Sequence, residues 1–234
     1  MLINTRDLYG SKLAASDGDI GHIKDFYFDD KTWVIRYLVA DTGTWLTGRL
    51  VLLSPHAFGE FDREGRTIPI SLTRKQIEGS PTIEAHKSVS RQHELEFYRY
   101  YGWPTYWDGC AMWGAGDYPM APPQPVKAAA TPVRYHHRDN KHLQSAQSVT
   151  GYAIRATDGI IGHVSGLLAD DKSWAIRDVA VEAGHWYSGK EILISPGRIE
   201  RISFDESVVY VNLAKKDIER TPQSGVAKAL AGKS

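Results

Sequence analysis

The chain has 234 residues, 42% of them hydrophobic, and its 28 Lys and Arg cancel its 28 Asp and Glu. The balance is local as well, at 10 basic to 11 acidic over residues 1–81, 7 to 6 over 82–141 and 9 to 11 over 142–222. No basic stripe addresses a phosphate backbone, so nucleic acid is not an expected partner. The opening MLINTRDLYGSK lacks the apolar core of a signal peptide and no apolar run reaches membrane-spanning length, so a soluble cytoplasmic chain without membrane insertion is expected. The single cysteine, Cys110, rules out an internal disulfide or a cysteine-based metal cluster.

In chain order, Asp17-Gly18 supplies a tight turn, after which IGHIKDFYF reads as a long strand. Asp29-Asp30-Lys31 marks a second turn through carboxylate-to-backbone bonding, and WVIRYLVA follows as the return strand of a hairpin. RLVLLSP is another strand ended by proline. Shorter strands are expected near 57–62 and 67–70, then one or two helical turns from Thr73, closed by Pro81. The same series recurs 141 residues later. Residues 16–58 laid over 157–199 without a gap give 17 identities in 43 positions, well above chance. The register continues through Leu72 with Leu213 and Pro81 with Pro222. A period of this length means a duplicated domain, not a stacked array. Five or six short strands per unit predict an all-β fold with minor helix, namely two small closed or nearly closed barrels.

The combined string, DG turn, IGH, DD, W-x-I-R, DTG and VLLSP, resembles the PRC-barrel domain. That domain is named after the cytoplasmic part of the photosynthetic reaction-centre H subunit and also occurs in the ribosome-maturation factor RimM. The resemblance covers both units and is strongest to bacterial stand-alone proteins with two such barrels. It implies domains at 1–81 and 142–222, a connector at 82–141 and a tail at 223–234. It also implies a non-enzymatic scaffold or adaptor acting on protein partners, in a homo-oligomer. An accessory of RNA processing or ribosome assembly like RimM, and a cytoplasmic domain like that of the H subunit, are the alternatives.

The connector is unduplicated. Residues 88–101 read as a helix that Ser88 or Ser90 can cap, with Gly102 at C′ and Pro104 blocking continuation. Nine aromatic residues fall between Phe97 and Tyr118. Phe97, Tyr98, Tyr101, Trp103, Tyr106, Trp107 and Trp113, joined by the repeated Trp45 and Trp186, form the candidate interaction surface, although the same rings could pack back onto their own barrels. Residues 121–133, APPQPVKAAATPV, read as an extended spacer.

Chemistry-bearing motifs are few. Asp41-Thr42-Gly43 follows a hydrophobic strand as in aspartic proteases, but those need two carboxylates, and the matching position holds Glu182-Ala183-Gly184. Asp41 therefore reads as a turn residue. His22 and His163 read as hydrogen-bonded structural residues, and His136, His137 and His142 lack carboxylate or cysteine co-ligands at metal spacing. The acidic pairs at 29–30 and 170–171 supply too few oxygens for calcium. Trp45 with Arg49, and Trp186 with Lys190, suggest stacking within a loop. No catalytic residue, metal or cofactor is expected.

Overall fold

A computed structural model describes residues 1–81, 89, 91–114, 116–120, 143–184 and 191–219. The elements in order are β1 (Leu2–Asn4), α1 (Thr5–Leu8), β2 (Lys12–Ala15), β3 (Gly18–Asp29), β4 (Val34–Asp41), β5 (Leu50–Leu53), β6 (Thr67–Ile70), α2 (Arg74–Glu78) and α3 (Arg91–Tyr101). The second series is β7 (Leu143–Ser145), α4 (Ala146–Val149), β8 (Ala153–Ala156), β9 (Gly159–Asp170), β10 (Ile176–Ala183), β11 (Glu191–Ile194), β12 (Ile199–Ser203), β13 (Val208–Val211) and α5 (Lys215–Glu219). The expected helix at 88–101 begins at Arg91, and its proposed caps Ser88 and Ser90 lie outside the described residues.

Two sheets result. One follows the path β5-β4-β3-β2-β6 and the other β11-β10-β9-β8-β13-β12. In each, an antiparallel meander ends on a parallel pair, β2 with β6 and β8 with β13. The turns form as their residues require. Asp29 Oδ1 accepts the amides of Lys31 and Thr32 at 2.9 and 3.0 Å, and Asp170 Oδ1 accepts those of Lys172 and Ser173 at 3.3 and 2.8 Å. Both turns finish on a tryptophan in the left-handed region, Trp33 at φ 54° and Trp174 at φ 57°. A bulky side chain occupies that region only when its surroundings hold it there. Trp33 stacks on Phe28, and Trp174 stacks on Phe26 with Phe58 at its edge.

Closure is where the structure departs from expectation. Among the described residues neither sheet closes on itself. In the first repeat the chain leaves β5 through a 3₁₀ turn at Pro55–Ala57 and meets β6 only at single bridges, Phe58 with Ile70 and Asp62 with Thr67. Pro69 lies in the middle of β6 without an amide to donate, so the strand expected near 57–62 does not form. At the matching place in the second repeat, Tyr210 pairs Arg201 and β12 is a complete strand.

The chain gathers into two compact units. Unit 1 contains Met1, Asp7–Ser145 and Asp170–Ala175; unit 2 contains Leu2–Arg6, Ala146–Ala169 and Ile176–Ser234. In unit 1, β7 pairs antiparallel with the far end of β3, opposing Ser145 to Tyr27 and Leu143 to Asp29. Ser145 Oγ donates to Asp25 Oδ2 at 2.5 Å. In unit 2, β1 pairs with β9, and Thr5 Oγ1 accepts the Leu167 amide at 3.3 Å. Because β1 and β7 match at the 141-residue offset, each sheet is completed by the opening strand of the other repeat.

The repeated Gly-His pair owes its glycine to close approach. A Cβ at Gly21, which has φ +144°, would lie 2.0 Å from the Asp41 carbonyl oxygen, and one at Gly162 would lie 2.1 Å from that of Glu182. Gly10 has φ +73° but open space around it. Gly21→Ala and Gly162→Ala are each expected to cost about 3 kcal/mol in urea denaturation, because backbone must move. Gly10→Ala should cost only about 1 kcal/mol, from its backbone conformation alone.

Candidate functional site: the connector on unit 1

Helix α3 carries a buried face at 94, 97, 98 and 101, the spacing that aligns residues along one side of a helix. Glu94, Phe97 and Tyr98 are buried and Tyr101 is half-buried, while Glu96, Arg99 and Tyr100 face outward. The helix stops in a Schellman arrangement. The Trp103 amide reaches the Tyr98 carbonyl at 3.0 Å and the Gly102 amide reaches that of Arg99 at 3.2 Å, with Gly102 at φ +69°. Pro104 then prevents continuation.

On an otherwise aromatic face, Glu94 is fully buried. Its Oε1 accepts the hydroxyls of Tyr37 on β4 at 2.9 Å and of Tyr106 at 2.7 Å, and its Oε2 pairs with Arg91 Nη1 at 3.1 Å. Arg91 also donates to Tyr106 at 3.2 Å and lies over Trp107 at 4.1 Å. Such saturation is what a carboxylate needs in order to stay buried. Burial and then the Glu94 charge raise the Tyr37 and Tyr106 hydroxyls well above the ordinary tyrosine value, so both remain donors. Burial opposes the charge on Arg91, but Glu94, Tyr106 and Tyr37 together more than offset it and the guanidinium rises above its usual value.

A second polar pair sits alongside. Arg36, the bulged residue that β4 leaves out of its ladder, is 1% exposed. Its Nη1 donates to the Met112 carbonyl at 2.7 Å and its Nη2 to Thr32 Oγ1 at 3.1 Å. The guanidinium lies over Tyr106 at 4.0 Å and Trp113 at 4.8 Å. Burial lowers its pKa. His56, from the 3₁₀ turn after β5, stacks on Trp103 at 5.4 Å and meets the edges of Tyr98 and Trp113 at 5.8 and 5.1 Å. Its Nδ1 lies 2.9 Å from Ser54 Oγ. Burial first, and the Arg36 charge second, hold the imidazole at about 4. Burial likewise pushes the Tyr101 hydroxyl up to about 12.

The proposed surface residues therefore go inward. Phe97, Tyr98, Trp103, Tyr106 and Trp113 are buried in unit 1, and Trp113 Nε1 donates to the Ser173 carbonyl at 2.8 Å. Tyr101 and Trp107 are half-buried. Trp45 is half-buried too, but its cation is Arg74, at 4.6 Å, and not Arg49. Arg49 instead donates to the carbonyls of Glu78 and Ser80, at 2.9 and 2.5 Å. Trp186, His136, His137, His142 and the spacer at 121–133 lie outside the described residues. His22 and His163 are exposed on their strands. Asp41 accepts the Gly43 amide at 2.9 Å. Among the described residues no group of three His, Cys, Asp or Glu is placed to hold a metal.

Strands β1–β6, Gly21 and the turn carboxylate Asp29 of the first repeat fall within the segment that a family model recognises. Residues 2–77 match the model of the PRC-barrel domain. The first repeat carries a PRC-barrel domain. No curated protein matches the chain. The PRC-barrel match ends before α3, so the Glu94 network, though anchored on Tyr37 of that domain, is built mostly from residues outside it.

Sequence reading singled out the aromatic rings and passed over Glu94, Arg36 and His56. A signal for Glu94 was present, since it shares the 94, 97, 98, 101 stripe. Glu94→Ala is expected to destabilise unit 1 by about 4 kcal/mol, since it leaves Arg91 and two buried hydroxyls without their acceptor. Tyr37→Phe should cost about 2 kcal/mol, the scale of one hydrogen bond to a charge. The double variant should fall short of the sum by about 1–2 kcal/mol in chemical denaturation, because the two groups share one bond.

Proposed function

We propose that the chain is a non-enzymatic scaffold or adaptor of two PRC-type repeats that joins protein partners and copies of itself. The observation that supports this reading most is strand addition. Each sheet takes in a three-residue strand from outside its own repeat, β7 on β3 and β1 on β9. Pairing of this kind uses main-chain hydrogen bonds for affinity and alternate side chains for choice, the physical basis of strand-mediated protein recognition. The polar groups that might do chemistry are engaged otherwise: Glu94, Arg36 and His56 are buried and spend their bonding capacity on holding the connector.

The sheet paths end on β5 in the first unit and β11 in the second. In the full chain, a photo-cross-linking residue at Leu50 or Glu191 should give discrete protein adducts in cells, and purified chain alone should give an adduct of twice the single-chain mass. The same group at Lys24, inside β3, should give neither. Absence of adducts from both edges would remove the scaffold reading, and heteromeric adducts without the doubled mass would remove self-assembly.

A further inference from the structure

His56 is a buried imidazole whose ring contacts all come from the connector. Three of its ring contacts, Tyr98, Trp103 and Trp113, lie on α3 or the loop after it, and only Ser54 belongs to the β5 side. The cation nearest to it in charge effect, Arg36, is likewise committed to the connector through the Met112 carbonyl and the rings of Tyr106 and Trp113. We infer that protonation of His56 is a switch that releases α3 and the loop 102–114 from the β4–β5 face of unit 1.

The charges around it set the direction. Facing His56 are Arg36 from β4, Ser54 from the β5 side, Tyr98 from α3 with the Arg91–Glu94 pair behind it, and Trp103 and Trp113 from the loop, while Tyr106, Asp29 and Tyr37 act on Arg36. Of the two carboxylates among these, Glu94 is already held by two hydroxyls and Arg91, and Asp29 by the amides of Lys31 and Thr32. A proton on His56 therefore puts a second cation beside Arg36 in a dry, ring-lined pocket without an anion to spare for it. The released histidine meets water and titrates near its ordinary 6.5, whereas the docked one holds out to about 4. With the docked value the lower, docking is fully present above pH 6.5, weakens as pH falls below it, and stops weakening below about 4. Release would uncover Phe97, Tyr98, Trp103, Tyr106 and Trp113, turning a packed interior into an aromatic surface. The second repeat holds Gly197 where the first holds His56, so the device belongs to unit 1. It stands independently of the scaffold reading.

Hydrogen exchange of the full chain, corrected for the intrinsic effect of pH, tests it. Between pH 7 and pH 4.5 the amides of α3 should lose protection roughly 60-fold, the ratio set by values of 6.5 and about 4, while β3 and β4 keep theirs. His56→Phe, which keeps a ring for Trp103, and His56→Gln, which keeps a polar partner for Ser54, should each hold the α3 loss below threefold. An equal loss in both variants would pass the acid response to Glu94 and overturn the proposal. No loss, or a loss shared equally by β3 and β4, would overturn it too.

Discussion

A carboxylate taken wholly out of water has to be surrounded by donors, and Glu94 imposes that requirement on unit 1. Losing hydration costs several kcal/mol, recovered only if geometry is good on every side. The condition ties three pieces of chain together: Tyr37 from β4, Arg91 one turn earlier on α3, and Tyr106 from the loop beyond the helix. Once these are fixed, the rotation of α3 is set, and Phe97 and Tyr98 have one face available. Tyr106 then lies under Arg36, whose bond to the Met112 carbonyl carries the loop onward to Trp113, and Trp113 reaches Ser173. Hydrophobic burial supplies most of the driving force here, but apolar contact is tolerant of sliding. The polar bonds select one arrangement among many that would bury the same rings.

The duplication allows each of these roles to be compared with a second copy of the same backbone. Arg36 and Arg177 are matched residues, both at the bulge between the long hairpin strands, yet one is 1% exposed and the other lies in solvent. The difference follows from what covers them. Unit 1 has α3 and its loop over the β4–β5 face, and there Tyr37, His56 and Ala57 are buried. Unit 2 has Asp178, Gly197 and Arg198 at those places, the last two exposed. The fold is shared and its outer chemistry is not. A residue found in both copies, such as the tryptophan at positive φ after each acidic turn, belongs to making the hairpin. A residue found once, such as Glu94 or His56, belongs to the connector.

What could be read from sequence was what local chemistry decides. The turn carboxylates, the long hairpins, the glycine after α3 and the short helices closing each repeat are set by neighbours a few residues away, and the observed elements follow them. The missing strand near 57–62 was less legible because it turns on one missing amide at Pro69, a residue that looks harmless in an edge strand. The aromatic segment is apolar surface in need of a partner, but composition cannot say which surface supplies it. Glu94 and Tyr37 are 57 residues apart, and a pairing at that range leaves no periodic trace. The histidines show the same limit in reverse: the repeated His22 and His163 drew attention by recurring, and both are exposed, whereas the unrepeated His56 is enclosed.

The opening strands illustrate why duplication both helps and hides. Leu2–Asn4 and Leu143–Ser145 are so short, and so alike in pattern, that either could pair with either repeat's long strand. Their backbones alone do not choose. The choice falls to the last side chain of each strand and what it meets: Ser145 finds the carboxylate of Asp25, whereas the matched position on β9 is Gly166, which leaves room for the side chain of Asn4. A carboxylate facing a hydroxyl and a missing Cβ facing an amide are different fits. Exchanging the strands would put Asn4 against Asp25 and Ser145 over the space at Gly166, giving up the short Ser145 bond and leaving a gap. Two small side-chain differences thus assign each opening strand to the sheet of the opposite repeat, although the main-chain pairing would be available at either.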